Sequence, residues 1–258
     1  MLELPAAPPR AALVTGGAQR IGRAIVLALA RHGYAVAIQT RHSLGEAERL
    51  CAEIAAAGGR AAVVAADLAD HEAVLRLVPA AAAAVGPLTL LVNNAAEFEP
   101  DEIGSLERAR FDRHIAVNLR APIFLAEAFA AQPDAGADRA IVNLLDQRIY
   151  KPTPRFLSYG LTKSALHAAT TTLAQALAPG IRVNAVAPGP TLPSPRQDQQ
   201  SFARQVHALP LDHGPGPQDV ADAVLYLAGA HSVTGVTIAV DGGQHLAWRT
   251  ADAAGVEE

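Results

Sequence analysis

Residues 11–33 read AALVTGGAQRIGRAIVLALARHG. The run AALVTG (11–16) is apolar, too short for a helix, and ends in glycine, which marks a buried strand. From Arg20 the apolar residues return at helical spacing and stop at Gly33, so RIGRAIVLALARHG (20–33) is a helix. A strand that turns through glycines into a helix makes an anion site. The first N–H groups of the helix point into the turn, and glycine lets the backbone come close to a pyrophosphate. Every strand-to-helix turn favours glycine, so the cluster alone says little. Its place between the first strand and the first helix points to a dinucleotide, with Gly16, Ile21 and Gly22 in contact.

Outward from this unit, strand and helix patterns alternate to the end of the chain. Strands are expected at 34–40, 60–67, 88–95, 139–146, 181–188 and 236–243, after the first at 11–16. Helices are expected at 44–59, 70–85, 105–130, 156–178 and 217–229, with Pro122 bending the longest. Such alternation implies right-handed crossovers and a parallel sheet covered on both faces. The expected fold is a single doubly wound α/β Rossmann domain over 11–248, seven-stranded, with ligands outside the strand C-termini. Residues 1–10 and 249–258 read as loose tails. The stretch 189–216 is too long for an ordinary connection, and reads either as a substrate lid or as a disordered loop.

The 258 residues are half apolar, enough for a sizeable core, and the net charge of −4 comes with scattered basic residues. That argues against a nucleic-acid surface, which needs clustered Lys and Arg. The single cysteine, Cys51, excludes an intrachain disulfide, suits a reducing compartment and reads as a small buried residue. The first residues, MLELPAAPPR, lack signal-peptide features, and no uncharged apolar run reaches the ~20 residues that span a bilayer. The expectation is a cytoplasmic protein with no membrane partner. The nine histidines show no metal-ligand spacing; His114 shares a helix face with Asn118, which packing explains better than catalysis.

The form of the dinucleotide is read at the end of the second strand. A carboxylate there would bind the ribose 2′-OH of NAD and repel a 2′-phosphate. This chain has QTRHS (39–43) instead. Arg41 offers a planar fork to a phosphate, with His42 and Ser43 beside it; the other reading of Arg41 is a solvated loop residue. The expected cofactor is NADPH. Asp67 and Leu68 are placed to flank the adenine. Asn94 and Ala95 would pack on the cofactor, with Asn93 structural.

The chemistry sits in YGLTK (159–163). Tyr159 and Lys163 are four apart, so one helix face presents both. An ammonium near a phenol favours the phenolate and is expected to lower the Tyr159 pKa toward the working pH, making the phenol a proton donor.

Together, TGGAQRIG (15–22), LVNNAA (91–96), VN (117–118), the Tyr159–Lys163 pair, PG (188–189) and VTGVTIAVDGG (233–243) resemble the short-chain dehydrogenase/reductase family, over about residues 10–245. The resemblance implies that Tyr159 gives the proton, Lys163 grips the nicotinamide ribose, Asn118 anchors a water relay and Pro188–Gly189 border the cofactor. Thr191 would bond the nicotinamide amide or serve as a turn residue. It also implies a homotetramer built partly on helices 105–130 and 156–178. Two positions depart from the common pattern. Arg20 stands where most members have glycine or alanine, and Asp146 replaces the usual serine. With Phe98, both resemble the pteridine reductase branch, which reduces C=N bonds of pterin rings with NADPH. By that resemblance Arg20 lies by the cofactor phosphates and the pterin, and Phe98 stacks on the pterin. Phe98 as core packing is the plain alternative.

An acid at 146 suits such chemistry. A C=N bond takes hydride at carbon while its nitrogen must gain a proton, a general-acid step. An ionised Asp146 would raise the Tyr159 pKa, opposing Lys163, so the two acids would titrate as a coupled pair; a carboxylate also binds ring N–H and amino groups. The alternative has Asp146 turned outward onto Arg148. Gln147, Arg148 and Tyr150 line either the pocket or the surface. The substrate class is thus a dihydropterin or dihydrofolate, with a non-pterin carbonyl or imine as the rival and a cofactor sensor without turnover as a third reading.

Overall fold

The computed structural model describes residues 10–133 and 138–248. The tails expected at 1–9 and 249–258 lie outside the described residues; Arg10, expected in the first tail, already belongs to the first strand.

Seven strands form one parallel sheet in the order β3-β2-β1-β4-β5-β6-β7. They are β1 (Arg10–Val14), β2 (Tyr34–Thr40), β3 (Ala61–Ala65), β4 (Leu90–Asn93), β5 (Arg139–Leu144), β6 (Ile181–Pro188) and β7 (Thr237–Val240). Most strand residues are apolar because side chains alternate between two covered faces. Val14, Val92 and Val142 meet α1 (Arg20–Arg31), α2 (Leu44–Ala56) and α8 (Pro217–Gly229) on one face. Leu13, Leu91 and Ile141 meet α3 (His71–Val85), α5 (Ala121–Ala130) and α6 (Leu157–Leu177) on the other. Each fully buried side chain of this kind stabilises the fold by roughly 1.5–3 kcal/mol. The strand order reverses between β1 and β4. There the crossovers leave on opposite faces and a crevice opens at the strand C-termini.

Several strands end earlier than the apolar runs. β3, β4, β5 and β7 stop at Ala65, Asn93, Leu144 and Val240, and the residues after β3 and β4 line the crevice. The helix expected at 105–130 is divided. α4 (Arg108–Ile115) gives way to a wider turn, Ala116–Arg120, in which the Ala121 N–H reaches back to the Ala116 carbonyl, before α5 resumes. Pro122 is the physical reason. It has no N–H to close a helical turn, and its ring clashes with the carbonyl four residues back. The expected bend therefore appears as a widened turn centred on Asn118.

The 189–216 segment holds a helix that the sequence pattern did not show, α7 (Gln199–His207), capped by Asp198, which accepts from the Ser201 N–H at 2.6 Å. None of its residues is fully buried, and its apolar face is limited to Phe202 and Val206, one turn apart and partly buried. The segment packs down on the domain: the Leu211 N–H donates to the Gly242 carbonyl at 3.1 Å, and a Cβ added at Gly242 would lie 2.5 Å from the His213 carbonyl oxygen. Among the described residues, no helix is long and apolar enough to cross a membrane, and no cluster of three or more His, Cys, Asp or Glu side chains could hold a metal.

Candidate active site

The C-terminal ends of β1, β2, β3 and β4 enclose a cleft of about 500 Å³. The first turn contributes Gly16, Arg20, Ile21 and Gly22; the end of β2 contributes Arg41, His42 and Ser43. Asp67 and Leu68 after β3, and Asn94 and Ala95 after β4, complete the expected set. The turn is built for close approach of backbone. Gly16 has φ +60°, and a Cβ on Gly22 would sit 2.2 Å from the Gly16 carbonyl oxygen. The Asn94 side chain donates to the carbonyls of Thr15 (2.8 Å) and Gly16 (3.1 Å) and fixes the turn. Gln39 is buried and faces inward: it accepts from the Gly16 N–H at 2.8 Å and donates to the Ala66 carbonyl at 2.7 Å. No acid therefore stands at the end of β2, and Arg41 faces the cleft.

Arg20 is held at φ 52°, a left-handed conformation costly for any residue but glycine. Such strain points to a role that glycine could not fill. Its guanidinium spans the cleft mouth and donates to the carbonyls of Leu192 (3.2 Å) and Pro193 (3.0 Å). Pro188, Gly189 and Thr191 lie at the end of β6, beside β7. The Gly189 N–H donates to the Val240 carbonyl at 2.9 Å, and the buried Thr191 hydroxyl donates to the Gly189 carbonyl at 3.1 Å, the turn arrangement.

Across the crevice, α6 presents Tyr159 and Lys163, both buried. The Tyr159 hydroxyl donates to Asp146 Oδ2 at 3.0 Å. Arg148 donates through Nη1 to the same oxygen at 3.0 Å and through its backbone N–H to Oδ1 at 2.8 Å. Asp146 makes the salt bridge to Arg148 that the alternative reading expected, but it is turned to Tyr159 and not outward. Lys163 Nζ donates to the Leu144 carbonyl at 2.5 Å and lies 5.6 Å from the centre of the Tyr159 ring. Phe98 packs edge-on against Tyr159, centroids 4.7 Å apart, and stacks flat on Phe156 at 4.4 Å.

The chain as a whole is matched by known proteins. A family model described as enoyl-(acyl carrier protein) reductase matches residues 16–245. The chain belongs to the short-chain dehydrogenase/reductase family. It is similar to the crystal structure of FolM alternative dihydrofolate reductase 1 from Brucella canis in complex with NADP. That likeness has a TM-score of 0.92 at 51% identity, over 95% of this chain and 97% of the other. An uncharacterized oxidoreductase of Mycobacterium tuberculosis is 34% identical over 91% of both chains. The 3-oxoacyl-[acyl-carrier-protein] reductase FabG of Staphylococcus epidermidis is 31% identical over 92% of this chain and 99% of its own. As a short-chain reductase, the chain is an oxidoreductase.

The environment of the reductase's tyrosine corrects one expectation. The Tyr159 pKa lies well above its ordinary value, not below it, because burial disfavours the phenolate and the Asp146 carboxylate repels it; Arg148 opposes this. Burial also pulls Lys163 down to about 8, with Asp146 acting in the opposite direction. The Lys163 ammonium lies over the ring and bonds to a carbonyl, not to the phenol oxygen. The spacing foretold proximity, but depth of burial decided the shift.

Asn118 is fully buried and its side chain is committed. It donates to the Glu97 carbonyl at 2.9 Å and to Thr162 Oγ1 at 3.2 Å, and accepts from the Glu97 N–H at 2.7 Å. It thereby brackets the loop that carries Phe98 against α6. His114 accepts from the Glu99 N–H at 3.2 Å, a packing role. Of the neighbours left open, Gln147 is buried, Arg148 reaches the site, and Tyr150 is exposed. Asn93 is buried and donates to Asn143 Oδ1 at 2.9 Å, as a structural residue should.

The residues that sequence reasoning missed are the partners of Phe98. Phe156 is its stacking neighbour, and the guanidiniums of Arg148 and Arg196 lie 5.6 Å and 5.8 Å from its ring centre. Arg196 bonds both Glu99 carboxylate oxygens at 3.0 Å and the Phe98 carbonyl at 2.5 Å, tying the 189–216 segment to this loop. Asp101, also missed, is buried and accepts from the Ser158 N–H at 3.0 Å and from its hydroxyl, anchoring the start of α6. Residues as far apart as 98 and 196 leave no local signal. An aromatic at 156 directly before the YGLTK helix was the one available clue.

Proposed function

We propose that this reductase uses NADPH to reduce a C=N bond in a dihydropterin ring, as found in dihydropterins and dihydrofolate. The observation that carries the reading is the 3.0 Å hydrogen bond from Tyr159 to Asp146, an acid where a carbonyl reductase needs only a neutral donor. The likeness to the two FolM dihydrofolate reductase structures supports it.

The cleft suits a dinucleotide on its own terms. The glycine turn leaves backbone exposed where any side chain at position 22 would collide, and its helix start faces the cleft. Gly16, Ile21 and Gly22 would meet the pyrophosphate, with Arg20 near the phosphates and the substrate. Arg41, His42 and Ser43 would hold the 2′-phosphate, Asp67 and Leu68 the adenine, and Asn94, Ala95, Pro188, Gly189 and Thr191 the nicotinamide half. NADPH bound there supplies a hydride to the ring carbon. Replacing Arg41 by Ala is expected to weaken NADPH at least tenfold and NADH by less than twofold, by fluorescence titration, since only the phosphorylated cofactor needs the fork; equal losses would refute phosphate reading.

The chain's own residues manage the proton. Tyr159 donates to the ring nitrogen beside the carbon that accepts hydride, so C=N becomes CH–NH. The Tyr159–Asp146 pair then carries one more negative charge, next to the cations Arg148 and Lys163. Asp146 accepts from ring N–H and amino donors, Phe98 stacks on the ring, and Asn118 holds the loop that positions Phe98 and anchors the relay to Lys163. Because burial holds Lys163 at about 8, its ammonium is lost as pH rises through that value. The kcat/KM for NADPH, which reports the free enzyme, is therefore expected to fall above about pH 8. A flat profile through pH 9 would remove the ammonium from the mechanism.

We further infer a homotetramer; Leu161 on α6, half-exposed in the single chain, is one apolar residue such an assembly would cover. Steady-state NADPH oxidation with dihydrofolate, dihydrobiopterin, dihydromonapterin and a set of ketones tests the function. Turnover of a dihydropterin supports it. Turnover confined to ketones selects an ordinary carbonyl reductase, and binding of NADPH without turnover a sensor.

A further inference from the structure

Arg113, on α4, was not among the residues expected from the sequence, yet it lines the cleft. Its guanidinium joins two acids. Nε donates to Glu97 Oε2 at 2.8 Å, while Nη1 and Nη2 face Asp67 Oδ2 at 3.5 Å and Oδ1 at 3.3 Å. The Glu97 backbone is fixed by Asn118, so this end of the bridge is anchored. The Ala69 N–H donates to Asp67 Oδ1 at 2.9 Å, which sets the orientation of the carboxylate. Arg41 Nη1 forms an ion pair with Asp67 Oδ2 at 3.7 Å, too long for a hydrogen bond, at the same oxygen that Arg113 Nη1 meets. Asp67 is thus shared between two guanidiniums, with the two hydrogen-bonded contacts on the Arg113 side.

We propose that Arg113 sets the preference for the 2′-phosphorylated cofactor, by competing with Arg41 for Asp67 and so loosening the hold of that acid on the Arg41 fork, which the phosphate needs. The inference rests on the NADPH reading above. Its physical basis is competition. A phosphate and a carboxylate seek the same guanidinium, and an unpaired Asp67 would both draw Arg41 away and repel the incoming phosphate. NADH carries no charge at that place, so it is indifferent to the contest. Both cofactors share the adenine that Asp67 would flank, so the ratio of their affinities cancels any adenine contact. Arg41, Asp67 and Arg113 side chains are 36%, 39% and 30% exposed, so solvent screens the effect and keeps it moderate.

The test is titration of NADPH and NADH into four proteins: the wild type and the Arg113→Met, Asp67→Asn and doubly substituted variants. Arg113→Met is expected to raise the NADPH Kd about tenfold and the NADH Kd less than twofold. Asp67→Asn alone should keep or increase the preference for NADPH, and adding it to Arg113→Met should restore the preference. Equal losses for both cofactors in Arg113→Met, an unchanged ratio, or a lowered preference in Asp67→Asn would overturn the proposal. Should Arg113→Met not fold, Arg113→Gln, which removes the charge but keeps a polar side chain, takes its place, and an unchanged ratio of cofactor affinities there would overturn the proposal. Arg41→Ala separates the two levels. If it fails to discriminate the cofactors, the NADPH reading itself falls; if it discriminates while Arg113→Met does not, only the role of Arg113 falls.

Discussion

Tyr159→Phe is expected to cut turnover of a dihydropterin by 10²–10⁴-fold while leaving the NADPH Kd within about twofold. The substitution deletes one oxygen. The ring keeps its edge contact with Phe98 at 4.7 Å and its place under the Lys163 ammonium at 5.6 Å, so the helix face and the stacking aromatic stay in register. Asp146 loses the phenol but retains two bonds from Arg148. What disappears is the proton itself. Its donor is protonated throughout the neutral range, because burial and Asp146 hold the phenol well above its ordinary pKa. A drop confined to kcat, with cofactor binding kept, identifies a proton-transfer role. Retained activity would remove Tyr159 from the chemistry.

Asp146→Asn is the second large effect. The amide has the shape of the carboxylate, and its oxygen can still accept from Tyr159 and Arg148, so the loss reports charge more than geometry. If the only task of Asp146 were to adjust Tyr159, the change would ease release of the phenol proton, since the carboxylate is one cause of its raised pKa. The account requires more of it. Asp146 accepts from the N–H and amino groups of the ring, and a site that loses such an acceptor leaves buried donors unpaired. The kcat/KM for a dihydropterin is expected to fall about 10²-fold, mainly through KM, and that for a simple ketone much less. Equal losses on both substrates would mean that Asp146 does not recognise the heterocycle.

The fold was legible because each strand of a doubly covered parallel sheet is a short apolar run, and β2 and β6 match their runs residue for residue. α7 escaped because its apolar face is only Phe202 and Val206, one turn apart and partly buried, too short a period to stand out in a proline-rich stretch. The widened turn at Ala116–Arg120 was half visible: Pro122 marked a break, but not that Asn118 would sit at its centre. At the site, spacing of four residues fixed the Tyr159–Lys163 pair locally. The approach of Asp146 came from the family resemblance. The bridge from Asp67 through Arg113 to Glu97, and the clamp of Arg196 on Glu99, depend on the path of loops and were invisible. The direction of the tyrosine shift was misread because sequence reports neighbours along a helix but not how deeply water is excluded around them.

The central claim is that Asp146 and Tyr159 act as one unit on the substrate. A double-mutant cycle on kcat/KM for the dihydropterin reads this directly, using wild type, Tyr159→Phe, Asp146→Asn and the double variant. The account predicts strong coupling, with the double variant losing little more than Tyr159→Phe alone. Losses that multiply, each substitution acting as if the other were absent, would contradict it.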